Sequence, residues 1–526
     1  MTRPGVPEVF SGETLGIDLG TRYALTALLR DGKPVILPNR WGAMRTPSVV
    51  AWTPGGFLAG EEALRMEIRD PAHVWWDLKR RIGSPWKARC GVRARTAEEL
   101  LVPMLVLLRE DAEAWLGAFI TNCVLTVPAY FSFSERSAIA RSARSAGFSS
   151  VRIINEPTAA ALAFGRQGRF LVLDFGAGTA DISVVESENG VWQVLESTGR
   201  SDVGGRDFDE LLASWLARGI GVSDEDSPFR RMLLSEAERL KIALSDYERC
   251  EWVPFGEVEG KDPVVVSRNV FEHLVRDRIS VVVDDVRRLW DRHRPEKLLF
   301  VGGSSRIPLL RRMLEDRIAR PERLSVCPDE AVVFGAALST ASGEKLLIDV
   351  LSQSLGIIAA DEKPVAVMEK GTPLPATARR EFSSVGSGPV TLRIAQGDPG
   401  SPSRWKIIGI HTLRDLTRGE SVGLEFRVDG SGLLRIDIIR ADGTVLHIPS
   451  VEIGEGATPE ERGRMPELKE LETRIASISP KLVPSQRTRI EALARTVYSM
   501  RDGEGFAEAV SLLDTMITEM ERALGA

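Results

Sequence analysis

Cysteine is scarce in this 526-residue chain: Cys90, Cys123, Cys250 and Cys327 stand singly, with no CxxC pair. That spacing excludes a disulfide framework and a zinc site, and it points to a reducing compartment. Long apolar runs are missing as well. Nothing approaches the roughly twenty residues needed to span a bilayer, and the opening stretch MTRPGVPEVFSGET has no apolar core of signal-peptide length. There is no basic excess, with 68 Lys+Arg against 74 Asp+Glu and a net charge of −6, so a broad nucleic-acid footprint is excluded. Low-complexity segments are absent too. What is present, 43% apolar and 27% charged residues, suits ordinary globular cores, about three or four of them at this length. The expectation is a soluble cytoplasmic protein without nucleic-acid or membrane partners.

Two stretches repeat one another. LGIDLGTRYALTALLR, from Leu15, and LVLDFGAGTADISVVE, from Leu171, both run apolar residues, Asp, a spacer, Gly, a small polar turn and a second apolar run. From Thr14 to about Ala341 short apolar runs alternate with amphipathic segments, which predicts α/β layering. LGIDLG, ALTALLR and PVILP read as strands, with Asp31-Gly32 as a hairpin turn. Helices are expected at DLKRRIG, over Ala97–Trp115 and from Ser134. The strands NCVLTVPAYF and VRIINEP and a helix over TAAALAFG complete the first half. The second half closes with the strand KLLFVGGSS and helices at Arg306–Arg317 and Asp329–Ser339. The chain is thus read as an internal duplication. After Ser342 comes an apolar connector, GEKLLIDVLSQSLGI, and then, to about Gly454, short alternating strands split by turns such as QGDPGSPS and RVDGSG, the pattern of a β-sandwich. From Thr458, where TPEE forms a capping box, three helices are expected.

The repeated hairpins suggest a chemistry. A turn of the type Asp-x-Gly-x-Gly-Thr brings backbone N–H groups close to phosphate oxygens, because glycine leaves that approach unblocked. The Asp at the strand end can hold a hydrated metal, and Thr179 adds a hydroxyl. Two such hairpins facing one another, around Gly20 and Thr21 and around Gly176, Ala177 and Gly178, would grip a triphosphate from both sides. Asp18 and Asp174 would then converge on one Mg²⁺. A third turn, VGGSSRIP with Gly302, opens a helix beside them.

In their order along the chain, GIDLGT, VLTVPAYFSFSER, RIINEPTAAALAFG, LDFGAGTADISV, VGGRDFDELL, FVGGSSRIP and PDEAVVFGAA resemble the signatures of the DnaK-type chaperones, the seventy-kilodalton heat-shock class. The resemblance implies an α/β actin-like ATPase domain (1–342), an apolar linker (343–350), a β-sandwich that binds extended peptides (351–456) and a shortened helical lid (457–526). It implies ATP/ADP, Mg²⁺ and K⁺ as cofactors. Unfolded client polypeptides, a J-domain co-chaperone and a nucleotide exchange factor are the implied partners. Position by position, Asp18, Asp174 and Asp181 correspond to the carboxylates organising Mg²⁺. Lys79 corresponds to the lysine reaching the γ-phosphate and attacking water, Glu156 to the carboxylate positioning that water, and Thr179 to the hydroxyl beside the phosphates. Gly204 belongs to the phosphate-side backbone. Glu238, Lys241 and Ser245, on one helical face, would hold adenosine with Gly303, Ser304, Arg306 and Asp329. Pro128, Arg136 and Arg152 correspond to the relay towards the peptide-binding domain and the J-domain partner. Leu346, Leu347 and Ile348 correspond to the docking linker. Ile357, Phe382, Val390 and Leu392 would line the peptide groove, with Ala360 and Val385 arching over it and Ile394 in the sandwich core.

The chain departs from the family pattern in places. Arg22 follows Thr21 where a second threonine is usual, which puts a cation beside the triphosphate, either as a phosphate contact or as a disturbance of the monovalent-ion site. Ala177 replaces the middle glycine of the second loop. The segment between Lys79 and Pro128 is short, and the ending ERALGA lacks the acidic motif of eukaryotic cytosolic members, which fits a specialised bacterial paralogue. The leading expectation is an ATP-driven peptide chaperone with Mg²⁺-dependent hydrolysis. Two alternatives stand beside it: a nucleotide-gated binding module with little turnover, and an actin-like-fold small-molecule kinase.

Overall fold

The computed structural model describes residues 13–91, 93–221, 228–254, 262–322, 326–341, 346–397 and 405–448. The helical tail expected over 457–526 lies outside them. Two sheets of matching design carry the first three hundred residues. In one, the order is Ser150–Asn155, Asn122–Val127, Thr14–Leu19, Tyr23–Arg30, Lys33–Ile36, with Thr46–Pro47 also paired to Tyr23–Arg30. In the other it is Lys297–Val301, Gly168–Phe175, Ala180–Glu188, Val191–Arg200, Leu346–Ile348. Each Asp-bearing strand runs parallel to one neighbour and antiparallel to the strand completing its hairpin. The duplication seen in sequence is therefore a duplication of sheet topology. Leu15, Ile17 and Leu19, like Leu171, Val172 and Leu173, are almost wholly buried, because strands covered on both faces need apolar residues throughout rather than alternation.

Local chemistry sets most boundaries. Asp31 and Gly32 both take positive φ, 49° and 72°, as a two-residue hairpin turn requires. The helices Ala97–Leu116 and Phe133–Ser145 start at capping boxes, Thr96 with Glu99 and Ser132 with Glu135, each satisfying two otherwise orphaned N–H groups. The two halves meet where helices Glu156–Phe164 and Ala331–Leu338 cross. A Cβ on Gly335 would lie 1.7 Å from the Ala159 carbonyl oxygen, so the backbones touch and only glycine fits. DLKRRIG, expected as a helix, is one 3-10 turn over Leu78–Arg81. Asp77 before it sits in the left-handed region at φ 58°, which ends any regular helix there and turns Leu78 and Lys79 inward. Among the described residues no helix is long and apolar enough to cross a membrane.

The connector adds a strand, Leu346–Ile348, parallel to Val191–Gln193 at the edge of the second sheet. Beyond it lie two antiparallel four-stranded sheets. The first is ordered Pro364–Met368, Ser354–Ile358, Gly388–Gly397, Lys406–Leu416, and the second Ala376–Ser383, Ser421–Val428, Leu434–Arg440, Val445–Ile448. Leu424, Phe426 and Val428, with Leu434, Ile436 and Ile438, point into one core at period two, the alternation of a half-buried sheet. Phe133 of the first half packs into that same core.

Candidate active site

The hairpin tips face each other. A Cβ on Gly178 would stand 2.5 Å from Thr21 Oγ1 and 2.9 Å from its methyl carbon, so the second loop approaches the first as closely as glycine allows. Thr21 and Thr179 are both buried. Ala177 is not among the residues of positive φ, so its methyl group brings no backbone strain. Its carbonyl accepts from the Arg206 N–H at 2.7 Å, and that of Gly176 accepts from the Gly205 N–H at 3.1 Å and from Ser304 Oγ at 2.8 Å. Helix Gly205–Gly219, capped by Gly204, thus starts against the second loop, with its positive dipole end at the cleft. The third turn closes the floor: Gly302 has φ 82°, and a Cβ there would lie 2.6 Å from Asp174 Oδ1. Gly20 ends the strand bearing Asp18, and its carbonyl accepts from Ser48 Oγ at 2.7 Å.

Below the tips, Asp18, Asp174, Asp181 and Glu156 surround Lys79. Lys79 Nζ pairs with Glu156 Oε1, and both residues are 6% exposed. Asp18 Oδ1 accepts from Thr126 Oγ1 at 2.9 Å. Asp181 stands opposite Asp174 in register; its Oδ1 accepts from the Ala129 N–H at 2.8 Å, while its buried Oδ2 has no hydrogen-bond partner. Burial, reinforced by Glu156, pushes Asp18 up to about 6 and Asp181 up to about 8. Burial together with Glu156, Asp181 and Asp18 raises Asp174 well above its ordinary value. Burial works against the charge of Lys79, but the Glu156 and Asp18 carboxylates outweigh it and hold its pKa above the usual lysine value. A buried set with surplus negative charge and an orphaned carboxylate oxygen favours a cation. Among the described residues no three His, Cys, Asp or Glu side chains form a group able to hold a metal ion. Mg²⁺ needs no such group, because it is usually held by one or two carboxylates and shares its remaining positions with phosphate oxygens and water.

The residues expected to hold adenosine are tied together. Lys241 Nζ pairs with Asp209, 2.8 Å to Oδ1, and donates to the Gly205 carbonyl at 3.0 Å. Ser245 Oγ bonds back to the Lys241 carbonyl at 3.4 Å. Arg306 Nη2 pairs with Asp329 Oδ2 at 3.0 Å, and Gly303 opens the 3-10 turn carrying Ser304 and Arg306. Arg22 turns its guanidinium across the cleft to Glu238.

The remaining expected residues lie along the join to the sandwich. The Pro128 carbonyl accepts from the Phe131 N–H at 3.1 Å. Arg136, 6% exposed, donates to the Phe131 and Ala129 carbonyls and to Asn155 Oδ1. Asn155 Nδ2 in turn donates to Asp349 Oδ2 beside the linker strand. Arg152 donates to the Ser339 carbonyl and hydroxyl, tying the first sheet to the chain just past helix Ala331–Leu338. Of the linker residues Leu346, Leu347 and Ile348, all three pair through the backbone with Val191–Gln193. In the sandwich, Ile357 and Leu392 are core residues, with Phe382 and Val390 packed against them and Ile394 also in the core. Ala360 lies in an exposed turn, and Val385 is 73% exposed. Sequence reasoning missed Asn155, Asp349 and Gln396, whose Oε1 accepts from the Phe133 N–H at 3.0 Å. It also missed Asp209 and Trp76. Asn155 and Asp209 sat inside quoted motifs, and their buried polar character was the available signal.

Two duplicated mixed sheets whose hairpin tips meet, followed by antiparallel sheets, make this an actin-like ATPase domain joined to a substrate-binding β-domain. The family model described as Hsp70 protein matches residues 14–97 and 87–502. The chain belongs to the Hsp70 family, whose members are typically ATP-binding ATPases.

Proposed function

We propose that this chain is an ATP-dependent molecular chaperone: it binds extended hydrophobic peptide segments in the β-domain and gates their release by Mg²⁺-dependent ATP hydrolysis. The observation that carries the reading is the pair of facing hairpins above the Lys79–carboxylate cluster, on a chain whose linker strand joins the same sheet system to a sandwich. The hairpin backbones and the start of helix Gly205–Gly219 hold the phosphates. Lys79 meets the γ-phosphate, Glu156 accepts from and orients the attacking water, and Thr179 donates to a phosphate oxygen. Lys241, Ser245, Arg306 and the third turn hold adenosine. Asp18, Asp174 and Asp181 would hold Mg²⁺, which when bound neutralises developing phosphate charge. Clients, a J-domain co-chaperone and an exchange factor are the partners this reading carries, and cytoplasmic location goes with it.

The pairing of Arg22 with Glu238 favours one second reading, a nucleotide-gated binding module with little turnover. Single-turnover phosphate release, with and without an unfolded peptide and in potassium or sodium buffer, separates the two. A chaperone hydrolyses ATP and is accelerated by peptide. A binding module shows nucleotide-dependent peptide release without phosphate, and a phosphate transfer to a small acceptor would mark the kinase.

A further inference from the structure

An open cavity of about 620 Å³, lined mostly by polar groups, lies between the second sheet and the β-domain, apart from the site described above. One wall is the end of strand Val191–Arg200 together with helix Arg268–His293, where Asp285, Arg288 and Arg292 share a face at spacings of three and four residues. The other wall is the turn Glu369–Gly371 of the β-domain, which carries Lys370. Two carboxylates lie deepest: the Asp285 and Glu196 side chains are each 16% exposed, against 55% and 58% for Arg288 and Arg292. Asp285 pairs with Arg200 at 2.6 Å and with Arg288 at 3.1 Å. Glu196 takes Arg292 at 2.9 Å, His293 at 2.7 Å and, from the opposite wall, Lys370 at 3.9 Å. The third carboxylate, Glu369, accepts from Ser354 Oγ at 3.1 Å.

Four cations thus meet three carboxylates, and the hydrogen bonding is more one-sided than the charge. Among the described residues Arg200 donates only through Nε and Arg292 only through Nη1. Arg288 and Lys370 stand at ion-pair distance without a side-chain hydrogen bond. A guanidinium carries five N–H donors and an ammonium three, and neither has an acceptor. The cavity therefore offers many unfilled donors, while its carboxylate oxygens are already engaged. We infer that it binds a small molecule carrying several phosphate groups, held between Arg288 and Arg292 on the helix and Lys370 on the β-domain. Guanidinium forks take phosphate oxygens two at a time, and the volume falls within the range of about 300–1,000 Å³ usual for small-ligand sites. An acidic polypeptide would meet the same charge but would have to enter between two walls. The inference goes beyond the chaperone reading and does not rest on the nucleotide cleft. Because the ligand touches both walls, its binding ties the β-domain to the second sheet.

The test is calorimetric titration of inorganic tripolyphosphate into the full chain in magnesium-free buffer. Each charge-assisted contact to phosphate is worth about tenfold in affinity. Arg288→Gln with Arg292→Gln should therefore weaken binding about a hundredfold, and Lys370→Gln, on the other wall, about tenfold. Arg288 and Arg292 are exposed, so the double variant should fold as wild type does, which circular dichroism checks. Arg276→Gln with Arg311→Gln removes the same charge at exposed positions outside the cavity and should leave affinity within about twofold. No binding by folded wild type overturns the inference. So does equal affinity in the Arg288 and Arg292 double variant, which would place the probe elsewhere, the nucleotide cleft included. An equal loss in the Arg276 and Arg311 control would reduce the effect to net charge and overturn it too. A polyglutamate peptide that binds more tightly than tripolyphosphate, with the same dependence on Arg288 and Arg292, would make the cavity a protein-docking surface and overturn the ligand class.

Discussion

Replacing Lys79 by alanine tests the core of the site, because the structure gives it two separate consequences. Lys79 is 6% exposed and paired with an equally buried Glu156, amid Asp18, Asp174 and Asp181. Removing one member of a buried pair while leaving the other charged typically costs about 3–5 kcal/mol. Here the loss falls on a cluster in which Lys79 lowers the pKa of each of the three aspartates. Without it those carboxylates hold protons more tightly, so the penalty should be larger at pH 8 than at pH 6. Lys79→Ala combined with Glu156→Gln should be less destabilised than the sum of the single changes, because the second change removes the stranded charge. Urea unfolding of the nucleotide-free protein measures this. The chemical consequence is separate. A positioned charge at the reacting phosphate contributes about a hundredfold or more to rate, so single-turnover hydrolysis should slow by that much while nucleotide affinity changes less. Hydrolysis by Lys79→Ala at the parental rate would falsify this assignment of the cleft.

Other outcomes follow from the same geometry. Thr179→Ala removes one hydroxyl from a cradle of many backbone contacts, so hydrolysis should slow while calorimetric ATP affinity stays within a few-fold; loss of binding would mean the loop is structural. Leu347→Asp puts a charge into the three-residue strand Leu346–Ile348, which pairs with Val191–Gln193 at the edge of the second sheet. ATP should then no longer speed peptide release, and an ATP effect equal to wild type would make the connector a mere tether. Burial pushes Asp209 up to about 6 although Lys241 pulls it down. Its folded form therefore holds the proton more tightly than the unfolded one, and the stability it contributes falls as pH rises from about 4 to about 6. Asp209→Asn should flatten that part of the stability–pH curve, and an unchanged slope would refute the assignment.

What the sequence carried, it carried through local rules. Asp31-Gly32 can scarcely be anything but a tight hairpin turn, and the helix expected from Ser134 begins at Phe133, capped by Ser132 with Glu135. The duplication was legible because both hairpins must present Asp at a strand end and small residues at the turn, and few other sequences do both. Lys79 stood out as a site candidate through its motif, but nothing in that motif marked it as a 3-10 residue. The break depends on Asp77 entering the left-handed region, a cost that only the surrounding fold can offset.

The direction of a long charged side chain belongs to a different class of information. At Thr21 the next side chain could lie along the phosphates, out in water or across the cleft, and each choice is compatible with every residue within ten positions of it. What decides is a carboxylate 216 residues away and a tryptophan ring 3.7 Å from the guanidinium, neither related to Arg22 by any period or motif. The sandwich has the same difficulty in apolar form. Ile357 and Leu392 are core residues, whereas Val385 is 73% exposed, yet alternation marks only that a residue faces inward, not whether a core or a peptide lies on that face. Asp349 and Asn155 complete the argument: each is an ordinary polar residue in its own segment, and only the docking of the connector makes them one buried pair. Sequence thus fixes which chemistry is present and roughly where each strand ends. Which distant charges meet is settled when the two halves and the sandwich close on one another, and that is where the properties peculiar to this chain reside.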